Sequence, residues 1–148
     1  MPDQPSLEIL DEAECLRLIA RGGIGRIAYS GRYDLTVLPV NYKLVDGAIF
    51  FRTGQDSLTV ADLRAEIPGG EYRVAFEIDE FDQATRTGWS VLVQGPAHHV
   101  DDASELAQAQ AAGVEPWPGG ERDHFIKITL MRVTGRRIQS RPDADAAR

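Results

Sequence analysis

The chain has 148 residues, 43% hydrophobic and 26% charged, a composition that supports one globular domain with a real core and not a disordered chain. Its 16 Lys and Arg against 23 Asp and Glu leave a formal net charge of −7, which argues against a nucleic-acid partner because phosphate neutralisation needs a basic surface. No apolar run approaches the ~18 residues of a membrane helix, and the N-terminus has neither part of a secretory leader, so the expectation is one cytoplasmic domain over 1–148 without a membrane partner.

The tails, residues 1–6 and 141–148, read as loose. The first element is a helix: Asp11 is placed to cap it, Glu14 follows at capping-box distance, and Cys15, Leu16, Ile19 and Ala20 share a face. Gly22 and Gly23 end it. From there the hydrophobic period shortens to two. Ile27 and Tyr29 alternate with Arg26, Ala28 and Ser30, as in a half-buried strand over 25–30.

A run over 35–45, then Asp46-Gly47, then a run over 48–53 is a strong hairpin signal, since both turn positions need positive φ. Pro39 lacks an N–H, so its strand is an edge or is bulged there. Asp56 or Ser57 then caps a short helix to about Glu66, closed by Pro68-Gly69-Gly70. Residues 72–80 form a strand with Val74, Phe76 and Ile78 on one face. Residues 89–100 form another, with Gly95-Pro96 as a bulge or barrel corner. An Ala-rich helix covers 101–112, and a last long strand region covers 124–138. About six strands joined by hairpins, without strict strand–helix alternation, predict an α+β protein: a small, mainly antiparallel barrel with two or three helices.

Few residues carry chemistry of their own. His98 and His99 are adjacent on a strand and point to opposite faces, and His124 stands apart, so no metal site is expected. Cys15, the one cysteine, sits on an apolar helix face and reads as a buried, inert thiol; it excludes a disulfide framework. Glu77 and Asp79 share a strand face but have no pocket to make them an acid–base couple.

Residues 51–58 are different. They run from strand end through a small-residue loop to a helix start, with Arg52 as a bidentate donor, hydroxyls at Thr53 and Ser57, and free helix amides at Ser57 and Leu58. A terminal phosphate suits that order; so does a plain strand end and helix cap. Trp89, beside Gly88 and Ser90, is either core packing or a wall for a flat heteroaromatic ligand.

Taken together, Gly25-Arg26-Ile27, Pro39-Val40-Asn41-Tyr42, Phe51-Arg52-Thr53, Gly88-Trp89-Ser90-Val91, Asp123-His124-Phe125-Ile126 and Gly135-Arg136-Arg137-Ile138 occur in an order that resembles the pyridoxamine 5′-phosphate oxidase-like family, closest to its actinobacterial branch related to nitroimidazole-resistance proteins. The resemblance implies a flavin-binding split barrel and a homodimer with FMN between the subunits. It assigns Pro39, Val40 and Asn41 to the strand beside the flavin ring, and Arg52 and Thr53 to the phosphate and ribityl arm. Ser57 and Leu58 would offer amides to the phosphate, Trp89 and Ser90 would lie near the ring, and Arg136 or Arg137 would reach the partner's cofactor. One departure stands out: related loops carry a Lys where this chain has Gln55-Asp56-Ser57-Leu58. Deazaflavin, haem or no cofactor are the alternatives to FMN. The implied activity is hydride transfer to or from a small planar substrate; the alternative is a non-catalytic dimer that binds, stores or senses such a cofactor.

Overall fold

The computed structural model describes residues 5–31, 34–53, 72–114 and 124–140. In chain order these form β1 (Ser6–Leu10), α1 (Glu12–Ile19), β2 (Gly23–Gly31), β3 (Asp34–Val45), β4 (Ala48–Thr53), β5 (Tyr72–Asp82), β6 (Thr87–His99), α2 (Ala103–Ala112), β7 (His124–Thr129) and β8 (Arg132–Gln139). The helix expected around 57–66 and the loop around Trp117 lie outside the described residues.

Every strand pairing is antiparallel. Strands run in the order β1-β8-β6-β5-β2-β3-β4-β7, and a further β6–β7 pairing closes a ring of six. The expected antiparallel α+β barrel is therefore present, with β8 and β1 added as a flap. The split has a simple cause. Thirteen-residue β6 spends one edge on two partners: Gly88 to Gln94 pair with β8, and Ala97 to His99 pair with β7. Gly95 sits at the join, where a Cβ would fall 1.8 Å from the Thr129 carbonyl oxygen. The Gly95 backbone can pass only because no side chain stands there.

Two expectations are corrected. The last strand region is two strands, because Leu130 and Met131 turn the chain across the edge of β6; the Met131 N–H donates to the Gln94 carbonyl at 3.1 Å. And an unanticipated strand precedes the first helix: Ser6, the last residue of the expected N-terminal tail, opens β1, which pairs with β8 from Ser6–Gln139 to Leu10–Gly135.

Other local readings hold. The Glu14 N–H donates to Asp11 Oδ1 at 2.8 Å and caps α1, while the Glu14 carboxylate turns to Arg17 and Arg137, so the box is only half formed. Asp46 and Gly47 have φ of 49° and 75°, a turn with both central residues left-handed. Pro39 falls in the part of β3 that pairs with β2 alone, since the β3–β4 ladder begins at Tyr42–Phe51. That half of β3 is an edge, and the missing N–H costs no ladder bond to β4.

Alternation on the strands fills the barrel with Ile27, Tyr42, Phe51, Phe76, Val91 and Ile126, among others. Phe76 is completely buried, with the Tyr42 ring edge-on at 5.4 Å and the Phe51 ring at 6.3 Å. Truncating such a ring to Ala costs about 3–5 kcal/mol. The Tyr42 hydroxyl donates to the Ile19 carbonyl at 2.9 Å and ties α1 to the barrel mouth. Burial pushes the Tyr42 phenol up to about 12, against the opposing charge of Arg21. A second, smaller core of Ala48, Phe50, Val100, Ala109, Val114 and Phe125 joins α2 to the outside of β4 and β7. Among the described residues no helix is long and apolar enough to cross a membrane.

Candidate functional site

β4 delivers Arg52 and Thr53 to its free end on opposite faces. Thr53 follows Ile49 and Phe51 towards the barrel and is buried at 5% exposure. Arg52 follows Phe50 outward and is half-buried under α2. There its guanidinium lies 5.1 Å from the centre of the Phe125 ring and donates to the Val114 carbonyl at 3.4 Å. It lines a cavity of about 420 Å³ with Leu106, Ala109, Gln110, Gly113 and Val114 at the C-terminal end of α2. A cation is favoured at that end by the helix dipole, so Arg52 has a structural role there as well as a place in the cavity wall.

Asn41 is the next residue along β3 beyond the Tyr42–Phe51 pair, as Arg52 is along β4, so the structure brings Asn41, Arg52 and Thr53 to neighbouring strand positions. Pro39 and Asn41 face outward, opposite Arg26 and Ile24 of β2, and Val40 between them packs towards the core. Ser57 and Leu58 lie outside the described residues.

Trp89 and Ser90 point to opposite sides of β6. Trp89 packs on the barrel core and lines a cleft of about 690 Å³ between α1 and the β5–β6 hairpin, with Leu18, Arg21, Glu80 and Phe81. Ser90 faces outward between Asp79 and Arg136. Trp89 and Arg52 belong to opposite ends of the barrel: Arg52 pairs with Phe125 beside the His99–Ile126 pair, ten strand residues from Trp89, on the order of 30 Å of extended chain. One chain does not bring all the sequence-identified residues together. The structure also separates the two arginines of β8. Arg137 turns inward onto Glu14 and Glu8, whereas Arg136 is exposed on the outer face.

The remaining reactive groups are accounted for structurally. Burial, then Asp11 and Glu14, push the Cys15 thiol up, and its Sγ packs where a Gly135 Cβ would stand. Burial would raise the Glu105 carboxyl, but His98 at 3.0 Å and Lys127 at 3.2 Å outweigh it and hold it below its ordinary value. The His99 and His124 rings meet edge-on at 6.4 Å, and among the described residues no group of three ligands could hold a metal ion.

Sequence reasoning passed over a polar group on the outer face. Arg26 of β2 reaches both Glu77 and Asp79 of β5, its Nη1 lying 3.5 Å from Glu77 Oε1 and from Asp79 Oδ2. Outward alternation of Glu77 and Asp79 was legible, but the β2–β5 pairing that supplies Arg26 spans about fifty residues. Around this group, six of the seven large hydrophobic side chains exposed among the described residues share the outer face: Leu7, Ile9, Ile24, Leu35, Val37 and Phe81.

Comparison with known proteins agrees in every direction. The sequence profile for pyridoxamine 5′-phosphate oxidase matches residues 11–137. The uncharacterized protein Rv0080 of Mycobacterium tuberculosis is 35% identical over 87% of this chain and 84% of its own. Among solved structures, a candidate pyridoxamine 5′-phosphate oxidase of Corynebacterium glutamicum superposes with a TM-score of 0.75 at 27% identity, covering 90% of this chain and 99% of that one. An FAD binding protein of Mycobacterium smegmatis superposes with a TM-score of 0.70 at 29% identity, covering 88% and 97%.

Proposed function

The chain belongs to the pyridoxamine 5′-phosphate oxidase family, and from that premise we propose that it is a flavin-binding oxidoreductase working as a homodimer, with FMN, or a deazaflavin in its place, and a small planar substrate. The observation that carries this reading is the family match over 11–137 together with Arg52 at the C-terminal end of β4, lining a cavity of about 420 Å³. The M. smegmatis relative that binds FAD supports a flavin over other cofactors.

The donor set fits a phosphorylated flavin. The Arg52 guanidinium offers paired N–H donors to a phosphate on the outer side of β4, and the Thr53 hydroxyl, buried on the opposite face of the same strand end, is left for the ribityl arm. Ser57 and Leu58 would add helix amides, which matter more in this chain because the Lys of related loops is absent. Pro39, Val40 and Asn41 offer an edge-strand backbone to the polar rim of a ring, and Trp89 offers a flat wall on one side of β6 while Ser90 offers a hydroxyl on the other. When bound, the flavin supplies the two-electron hydride chemistry; the protein orients it and excludes water. No side chain need act as acid or base.

Two features support the homodimer. Arg52 and Trp89 stand at opposite ends of one barrel, so a single cofactor engages both kinds of residue only if two copies contribute. Six large apolar side chains are also exposed on the outer face, the kind of surface that a second copy would cover. A second reading, a dimer that binds flavin, deazaflavin or haem without turnover, is favoured by the acidic Gln55-Asp56-Ser57-Leu58 string.

Fluorescence titration with FMN and with riboflavin tests the site. Arg52→Ala should weaken FMN at least ~10-fold, about 1.4 kcal/mol, and leave riboflavin, which has no phosphate, unchanged. Equal loss for both ligands, or none for FMN, refutes the phosphate role. Reoxidation of the reduced, bound flavin by a quinone then separates the enzyme from the storage reading.

A further inference from the structure

The outer face of β3, β2, β5 and β6 has a pattern of its own. A belt of charge made by Arg26, Glu77 and Asp79 crosses it, with Ile24 and Phe81 on one side and Leu35, Val37, Ala28 and Ala75 on the other. A groove of about 310 Å³ between Ala28, Val37, Ala75 and Leu92 runs beside the belt. A two-fold axis through such a belt sets apolar flank on apolar flank and belt on belt, the self-complementary pattern of an isologous interface. The occupant that this face fits is a second copy of the chain.

Belt on belt creates an electrostatic problem. Each chain brings two carboxylates and one guanidinium, a net charge of −1, and two chains bring the same sign together. Among the described residues, the groups packed around Glu77 do not relieve it. Arg26 comes from β2 and Asp79 from β5, while β6 presents Leu92 and Ser90 and β3 presents Pro39 and Val37, all uncharged. Arg73 lies four residues along β5, and Arg132 and Arg136 lie two strands across on β8. Glu77 Oε1 is already screened from solvent and accepts no well-formed hydrogen bond, with Arg26 Nη1 3.5 Å away. A second copy over the groove would remove the remaining water.

We infer that Glu77 enters the interface between two copies as the neutral acid, each chain taking up one proton from solvent as the faces close. The inference rests on the homodimer reading. One proton per chain brings each belt to zero charge and turns Glu77 from an orphaned acceptor into a donor towards Asp79. Burial already pushes the Glu77 carboxyl up to about 7, the neighbouring Asp79 adds to this and Arg26 opposes it. Further burial raises it again. The group therefore binds its proton more tightly in the dimer than in the free chain. Dimer stability is full below about 7 and is lost as the pH rises through and above that value.

Sedimentation equilibrium of the full chain between roughly pH 6.5 and 8.5 tests this. Uptake of two protons per dimer makes the dimer dissociation constant rise by up to ~100-fold per pH unit at the alkaline end, and by at least ~10-fold over the whole range. Glu77→Gln, whose carboxamide imitates the neutral acid, should give a dissociation constant that stays near the acidic wild-type value at every pH. A wild-type constant that is flat, or tighter at alkaline pH, overturns the inference and leaves the homodimer intact. So does a Glu77→Gln dimer with the wild-type slope. A wild-type chain that is monomeric throughout instead removes the homodimer reading itself.

Discussion

Gly95→Ala tests the account of how the barrel closes. The added methyl carbon would stand 1.8 Å from the Thr129 carbonyl oxygen, 3.1 Å from its carbon and 3.3 Å from the Met131 nitrogen, where real contacts do not fall below 3.0 Å. Every obstacle is backbone, so no side chain can swing aside, and β6 and the β7–β8 turn must separate by more than an ångström. That movement overpacks the join, at about 1–3 kcal/mol, and breaks the Met131-to-Gln94 hydrogen bond of 3.1 Å, worth about 1 kcal/mol. The lost freedom of glycine in the unfolded chain returns about 0.4–1 kcal/mol. The net destabilisation is about 2 kcal/mol, and a domain of this size loses about 2–4 °C per kcal/mol, so Tm should fall by roughly 4–8 °C. Thermal unfolding by circular dichroism at fixed protein concentration reads this directly. A fall of less than about 2 °C would show that the two strands share the edge of β6 with room to spare, and that the split does not depend on Gly95.

Two further outcomes follow from the buried and charged contacts of α1. Tyr42→Phe removes the donor to the Ile19 carbonyl and should cost about 1–2 kcal/mol in urea unfolding, with no change in the m-value. The Glu14 carboxyl, held down to about 2 chiefly by hydrogen bonds from Arg17 and Arg137, has a folded pKa below its ordinary value of 4.5. Its contribution is therefore complete above 4.5 and is lost as the pH falls towards 2, so wild-type Tm should drop more steeply over that interval than that of Glu14→Gln. Parallel profiles for the two proteins would show that the Arg137 contact does not hold α1 and β8 together.

The parts of the fold visible in the sequence are those decided by near neighbours. Asp46-Gly47 requires two left-handed residues wherever it lies, and Asp11 caps a helix using an N–H three residues away. What was hidden depends on distant partners. Ser6 to Leu10 has no turn or cap to announce it, and becomes a strand only because β8 arrives from more than a hundred residues later. The break at Leu130-Met131 has no glycine or proline, because the edge of β6 imposes it. The site divides in the same way. Arg52 and Thr53 at a strand end were legible, while the Val114 carbonyl that engages Arg52 lies 62 residues along the chain. Trp89 and Ser90 could be placed side by side in sequence, yet strand alternation sends them to different surfaces.

The double use of one edge of β6 has a consequence for how the protein comes into being. Five strands, β2 to β6, are synthesised before either β7 or β8 exists, leaving one edge of β6 and the free edge of β4 unmatched. At translation rates of about 5–20 residues per second, the stretch from His99 to Gln139 takes on the order of 2–8 s to appear. Through that interval the nascent chain exposes two sheet edges and the apolar interior of a barrel that has nothing to close it. β7 completes the ring and β8 then covers the rest of the β6 edge, and until they emerge the ribosome-bound chain is open to chaperones and to other unfinished copies of itself.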